Sequence, residues 1–297
     1  LWMGTFHSVF ARILRRHAEL LGYPTNFTIY DADDSKSLIK NIVREMDLDD
    51  AHYKASNLYA RISSAKNSMI LVEDYQGDAS LIAGDKAAGR PRFVEVYRAY
   101  VERCHRSGAM DFDDLLLNIL KLLEQYPEVL NWYQVQFKHV LVDEFQDTNR
   151  VQYRIVRLLS AMHRNICLVG DDAQSIYAFR GAVIDNILNV HRDYPELQTF
   201  RLEQNYRSTG NIVGASGSVI AQNNKQIPKE LWTQNSAGDL IRLLRCVSDN
   251  EEGRLIAAEL HSAKHQFRLN NKDFAILYRT NAQSRAFEEA LRRQNIP

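Results

Sequence analysis

Three shortages in the sequence each close off a class of protein. Cysteine is scarce: Cys104, Cys167 and Cys246 stand far apart in 297 residues and form no C-x-x-C pair. That spacing writes neither a disulfide framework nor a zinc site, and the thiols read as small buried hydrophobes. No apolar run approaches the roughly 18 residues a membrane helix needs. The first residues also lack a basic segment followed by an apolar stretch and a small-residue cleavage site. The expectation is a cytoplasmic protein with no membrane partner. Net charge is missing too, because 37 Lys plus Arg offset 37 Asp plus Glu. Bulk electrostatics therefore carry no footprint of nucleic acid, and any case for such a partner has to come from local constellations.

What is present is ample apolar material: 45% of residues are hydrophobic. That suffices for a sizeable core and, at this length, about two domains. Phe6, Phe10, Ile13, Leu14, Leu20 and Leu21 recur at helical spacing, and Gly22 follows as a stop. The pattern stays helical from Asp33, with Asp33 or Ser35 as candidate caps, to about Ser107. Within it, Tyr75 to Pro91 is glycine-rich, charged and poor in aliphatics, which reads as one mobile loop inside a helical insertion. A helix resumes from Asp111 to Leu123. Short apolar runs then alternate with helical stretches: His139 to Val142, Ile166 to Val169, Thr199 to Leu202, Leu240 to Cys246 and Phe274 to Tyr278. Runs of that length, bounded by polar residues, suit strands buried on both faces of a parallel sheet. The predicted class is α/β, with a helix from Asn211 to Ala221 opening a second unit.

The first of these runs ends directly in Asp143-Glu144. Ligands of doubly wound sheets sit at the carboxyl ends of strands. A phosphoryl-transfer site needs one carboxylate to hold Mg²⁺ through its water shell and another to orient or deprotonate the attacking water. Asp143 and Glu144 suit those roles, although acids also simply punctuate strand ends. The string Val142-Asp143-Glu144-Phe145-Gln146-Asp147-Thr148-Asn149 is far more specific. It resembles the Walker B motif of UvrD/Rep/PcrA-type (superfamily 1A) DNA helicases. Four further blocks match that family in order: Gly4 to Ser8, Val169 to Ala182, Leu202 to Thr209, and Ile276 to Arg285.

The resemblance implies RecA-like parallel sheets of the P-loop helicase fold with an inserted α-helical subdomain. Residues 1–30 and 108–194 would form an incomplete first motor domain, 31–107 the insertion, and 195–297 the start of a second motor domain. It implies an enzyme that uses ATP and Mg²⁺ to move 3′-to-5′ on single-stranded DNA and at duplex junctions, in DNA repair or replication. Glu144 would be the general base, Asp143 the Mg²⁺ anchor and Gln174 a γ-phosphate sensor, since an amide both accepts and donates. Tyr206 would stack on the adenine and Arg207 act as an arginine finger from the second unit, the bland alternative for Arg207 being a salt bridge between units.

DNA contacts would come from Thr5, Phe6 and His7, from Tyr177, Phe179 and Arg180, and from Arg279 and Asn281, with Ser284 and Arg285 beside them. Aromatic faces and guanidinium groups suit sequence-tolerant binding of single strands, and contacts to phosphates position without specifying sequence. Many family members carry tryptophan where Phe179 stands. Phe6 has two roles open to it, stacking on a base or anchoring its helix. Tyr177 and Phe179 have a core role as the alternative, and the residues around Asn281 have a solvated, capped helix start.

One family element is missing. Phosphate binding in such motors uses G-x-x-x-x-G-K-[ST], and no Gly-Lys dipeptide occurs in the sequence. The expectation is an internal piece of a motor, itself without ATPase activity. Two rivals stay open: the motor part of a RecB- or AddA-like helicase-nuclease subunit, and a non-enzymatic module that binds DNA or a protein partner.

Overall fold

The computed structural model describes residues 1–297, apart from the side chain of Arg180. The chain divides into two units. The first comprises Leu1–Leu202 and Ile220–Glu230; the second comprises Glu203–Val219 and Leu231–Pro297.

The first unit opens with α1 (Phe6–His17), whose N-terminus is capped by the Thr5 hydroxyl and whose stripe of Phe10, Ile13 and Leu14 is buried. A 3₁₀ turn carries the chain to Gly22, where φ is 78°. Glycine enters that left-handed region without the Cβ clash any other residue meets, so the helix stops as its sequence forecasts. β1 (Thr28–Tyr30) and β2 (Ala109–Asp111) then pair in parallel, Ile29 opposite Met110. Between them lie five helices: α2 (Ala32–Glu45), α3 (Ala55–Asn67), α4 (Val72–Gly77), α5 (Ala79–Ala87) and α6 (Phe93–Arg106). These five close on their own core of Ile39, Ile42, Leu58, Ile62, Phe93 and Tyr97.

Two details of this insertion correct the sequence reading. The cap of α2 is Asp31, in a reciprocal box with Asp34, rather than Asp33 or Ser35. The stretch from Tyr75 to Pro91 is not a loop. Asp78 accepts from the N–H groups of Ser80 and Leu81 and starts α5, while buried Asp85 accepts from the Tyr75 hydroxyl and pairs with Arg61. A cap and a buried acid supply the order that the few aliphatics do not.

A second core forms around α7 (Phe112–Gln125), whose Leu115, Leu116, Ile119 and Leu122 pack against α1, α8 (Pro127–Gln136) and α9 (Arg150–Ser160). Full burial of one such side chain contributes roughly 1.5–3 kcal/mol. Next, β3 (Val140–Val142) and β4 (Ile166–Leu168) pair in parallel with α9 as the crossover between them. Parallel strands need such a connection because a tight turn cannot return the chain in the same direction. Two short helices, α10 (Asp185–Leu188) and α11 (Val190–Asp193), follow; Val190 joins Val142, Phe145, Val156 and Tyr194 in a small third core.

In the second unit α12 (Gly210–Ile220) precedes α13 (Asp249–Phe267) and α14 (Ser284–Arg293). A Cβ on Gly253 of α13 would lie 2.6 Å from the Ala286 carbonyl oxygen of α14, so the bare glycine is what lets these helices approach. Gln204 and Trp232 form an isolated parallel bridge.

Three apolar runs expected as strands carry no ladder among the described residues: Thr199 to Leu202, Leu240 to Cys246 and Phe274 to Tyr278. A strand requires a neighbour for its N–H and C=O groups, and Leu202, Leu240, Leu243 and Leu277 each remain at least 80% exposed. The cysteine reading is also partly corrected: Cys104 is buried, whereas Cys167 is exposed and Cys246 half-buried. No helix among the described residues is long and apolar enough to cross a membrane.

Candidate functional site

The ends of β3 and β4 are stitched past their ladder. Val169 N–H donates to the Val142 carbonyl at 2.8 Å, and Phe145 N–H donates to the Val169 carbonyl at 2.9 Å. Asp143 and Glu144 lie between these two bonds, and both are exposed. Asp143 Oδ1 accepts from the Glu144 N–H at 3.0 Å. Glu144 sits at φ 49° and ψ 42°, in the left-handed region, at the head of a 3₁₀ turn over Phe145–Asp147. A residue with a Cβ costs about 1 kcal/mol there.

A chain of side-chain bonds links this strand end to the next. Gln146, 1% exposed, donates Nε2–H to Glu144 Oε2 at 2.7 Å and accepts the Asp171 N–H on Oε1 at 3.0 Å. Asp171 Oδ2 in turn accepts from Gln174 Nε2 at 2.9 Å. The structure thus brings Glu144 and Gln174 into one network with Asp143 adjoining. The Gln174 amide faces a carboxylate of its own chain. Gly170 is fixed by the same network, since a Cβ there would lie 2.7 Å from Gln146 Oε1. Burial, and then the charge of Glu144, push the Asp147 carboxyl above its ordinary range. Burial works in the same direction on Asp171, but hydrogen bonds from Lys229 and Gln174 outweigh it and hold that carboxyl low.

The base of the acidic loop is held from below. Asn149 caps α9 in a box with Gln152, and its Nδ2 donates to Asn67 Oδ1 of α3 at 2.5 Å. Asn186, buried, donates to the carbonyl of Thr148 at 3.0 Å. Beyond Gln174, Ile176 and Phe179 are 70% and 72% exposed and Tyr177 is 38% exposed, with the Tyr177 and Phe179 ring centroids 6.0 Å apart. That exposure excludes the core role for these aromatics. The backbone of Arg180 closes the same 3₁₀ turn; its side chain lies outside the described residues.

Of the N-terminal candidates, Thr5 is exposed and accepts the Ser8 N–H at 3.3 Å. Phe6 is half-buried against Phe10 and packs on two hydrophobic cores. His7 meets the edge of Phe112, and burial lowers its imidazole pKa, leaving it neutral near pH 7.

Within the second unit, Asn205 Oδ1 accepts the N–H groups of Arg207 and Ser208 at 3.0 and 2.8 Å, an Asx-type turn that presents Tyr206 and Arg207 to solvent. The Tyr206 hydroxyl donates to Gln204 Oε1 at 2.8 Å. Among the described residues the Arg207 guanidinium forms no ion pair. Arg279 and Asn281 are exposed at a turn in which Gln283 Oε1 accepts the N–H groups of Arg279 and Thr280. Ser284 begins α14, whose N-terminus has no side-chain cap, and Arg285 pairs with Glu289.

Sequence reasoning assigned no role to Gln146, Asn186 or Lys229. Asn149 followed three residues later by Gln152 is a visible cap signature. The other three act across tertiary distance and leave no local pattern.

Parallel strands joined by a crossover helix, with acids at one strand end bonded to an amide-rich turn at the next, define an α/β protein with a polar site at its strand ends. Two family models cover nearly all of the chain: the UvrD/REP helicase N-terminal domain over residues 1–195 and the UvrD-like helicase C-terminal domain over residues 200–297. The chain belongs to the UvrD-like helicase family. It is 44% identical over 299 residues to an ATP-dependent DNA helicase PcrA of Staphylococcus epidermidis, covering 100% of this chain and 40% of that protein. It is 43% identical to proteins of the same description from Leuconostoc citreum and Staphylococcus aureus, covering 100% of this chain and 39% and 40% of theirs. The chain therefore spans about two fifths of the length of these curated relatives. The family implies a RecA-like α/β fold, with which the parallel strand pairs are in accord.

Proposed function

We propose that these residues are part of an ATP-driven motor that moves 3′-to-5′ on single-stranded DNA and acts at duplex junctions in DNA repair or replication. The observation that carries this reading is the bonded series Glu144, Gln146, Asp171, Gln174 across two adjacent strand ends. It joins a carboxylate suited to activate water to an amide suited to sense a phosphate. The substrate is MgATP.

The residues present fit the metal in its simplest form, since Mg²⁺ is commonly held by one or two carboxylates together with water and substrate phosphates. Asp143 offers an exposed carboxylate at the strand end. Bound there, Mg²⁺ would neutralise charge on the phosphates. Glu144 accepts a proton from the attacking water, and its bond from Gln146 fixes the direction of its carboxylate. Gln174 exchanges its Asp171 partner for a γ-phosphate oxygen. Following the family resemblance, Arg207 neutralises charge on the transferred phosphoryl group, and Tyr206 stacks on the base.

Exposed Tyr177 and Phe179, on the turn next to Gln174, are the faces on which bases stack, with Arg180 beside them. Thr5, His7, Arg279 and Asn281 contact phosphates, and Phe6 anchors α1. The helices between β1 and β2 form an inserted subdomain between parts of the first motor domain, and the second motor domain begins near residue 195.

The 297 residues contain no Gly-Lys phosphate loop, so on their own they are expected to bind ATP weakly and not to turn it over. The decisive experiment uses the full-length protein. Glu144→Gln should abolish DNA-stimulated ATP hydrolysis while nucleotide binding stays within a few-fold of the parent. Hydrolysis by that variant at the parental rate would overturn the reading.

A further inference from the structure

The segment Ile220–Glu230 belongs to the first unit, yet the chain on both sides of it belongs to the second. Ile227 and Lys229 both anchor this strap. Ile227 N–H donates to Asp172 Oδ2 at 2.9 Å. The Lys229 ammonium is shared between Asp172 Oδ1, at 3.1 Å, and Asp171 Oδ1. These are not loose surface ions: the side chains of Lys229 and Asp172 are 17% and 3% exposed. Asp171 is at the same time the acceptor for Gln174 Nε2 and for the Ala173 N–H, and its own N–H is held by Gln146. Lys229 thus stands one carboxylate away from Gln174, and Gln146 connects the backbone N–H of the same Asp171 to Glu144.

We infer that Lys229 is a positioning residue for the nucleotide reaction: its ammonium, clamped on Asp171 and Asp172, fixes the strap to the Gln174 loop and sets the direction of the Gln174 amide. The inference deepens the motor reading and rests on it. The Asp171 carboxylate holds Gln174 through Oδ2, while its Oδ1 accepts both from the Ala173 N–H and from Lys229. Lys229 supplies a cation there, and Ile227 orients the neighbouring acid. A cation is needed because two adjacent carboxylates, one of them almost wholly buried, repel each other when left without a counter-charge.

The test compares Lys229→Met, Lys229→Arg and Asp171→Asn in the full-length protein. ATP hydrolysis is measured at saturating DNA, and amide exchange is followed at Ile227. Lys229→Met should lower kcat at least 10-fold with ATP affinity within about 3-fold, and speed exchange at Ile227. Lys229→Arg should recover kcat to within about 3-fold of the parent, since it restores the charge. Asp171→Asn keeps the acceptor for Gln174 but loses the ion pair, and should reproduce the kcat loss; it decides the matter if Lys229→Met does not fold. A kcat within twofold of the parent for whichever of these two variants folds would overturn the inference, and so would a fall confined to KM. Glu144→Gln separates the two levels: if it is inactive while Lys229→Met is fully active, only the role of Lys229 fails, and if it is fully active the motor reading itself fails.

Discussion

Replacing Lys66 tests what joins the helical insertion to the rest of the first unit. Lys66, on α3, is 1% exposed, and its ammonium lies 2.7 Å from both Asp111 Oδ2 and Asp114 Oδ1. Tyr100 of α6 donates to the same Asp111 oxygen at 2.7 Å. The group occupies the seam between the insertion core and the α7 core, so residues from both are committed to it. Burial tends to raise the Asp111 carboxyl, but the Lys66 charge outweighs it and holds it low. Asp114 is pushed up to about 7 by burial and by the charge of Asp111.

Lys66→Met leaves two buried acids without a counter-charge, a change that costs on the order of 3–5 kcal/mol. Against a typical total of roughly 5–15 kcal/mol, that is a large fraction. The sign with pH follows from the carboxyls. A folded-state pKa raised above its unfolded value contributes stability at low pH that is lost as pH rises through the folded pKa. The parent should therefore lose about 1 kcal/mol through Asp114 between pH 6 and pH 8, the upper end of a window running from about 4 to about 7. In Lys66→Met both acids are raised, so the variant should lose stability more steeply over that range and regain part of it on acidification. Urea unfolding followed by far-UV circular dichroism at pH 6, 7 and 8 measures both effects. A variant within 1 kcal/mol of the parent at pH 8, with a parallel pH profile, would refute the reasoning.

Further outcomes follow from the candidate site. Gly170→Ala places a Cβ 2.7 Å from Gln146 Oε1 and 3.0 Å from Ile187 Cδ1; it should cost roughly 1–3 kcal/mol in urea unfolding, and a neutral result would show that the amide can move aside. Phe179→Ala should weaken binding of a fluorescent single-stranded oligonucleotide roughly 5- to 150-fold by anisotropy, the equivalent of about 1–3 kcal/mol of stacking, and unchanged affinity would remove Phe179 from the DNA face. Because Glu144 stands at φ 49°, Glu144→Gly should unfold at higher urea than Glu144→Ala by about 1 kcal/mol. The reverse order would mean that the left-handed conformation carries no strain.

Helices were readable from sequence wherever one apolar stripe decides them. The period of Phe10, Ile13 and Leu14 specifies α1, and Gly22 its end; the leucines after Asp111 specify α7. The runs ending at Val142 and Leu168 are strands because each has the other as a neighbour. The run from Leu240 to Cys246 has the same texture and no ladder, since texture reports side chains while a strand is completed by another backbone. The pairing of Thr28 with Ala109 was illegible for a related reason: three residues a side are too few for a period, and a whole helical core intervenes. In the site, the acids could be read because they end an apolar run. Gln146 and Lys229 could not, because their partners stand 25 and 58 residues away.

Two of the polar groups in the first unit differ in a way that bears on function. Around Lys66 the charged groups are satisfied among themselves, with side-chain exposures of 1%, 2% and 13%. Such a group fixes how elements meet and offers little to a ligand. The series from Glu144 to Gln174 is buried only in its middle, at Gln146, and ends at exposed side chains in both directions. Its buried amide ties the orientation of one exposed end to that of the other. Glu144 holds a costly backbone conformation at one of those ends, and its carboxylate accepts from Gln146. In the proposed motor, such a network, buried in its middle and open at both ends, would couple a change of partner at Gln174 to the carboxylate of Glu144. That property is what a site needs if phosphate recognition and water activation are to depend on each other.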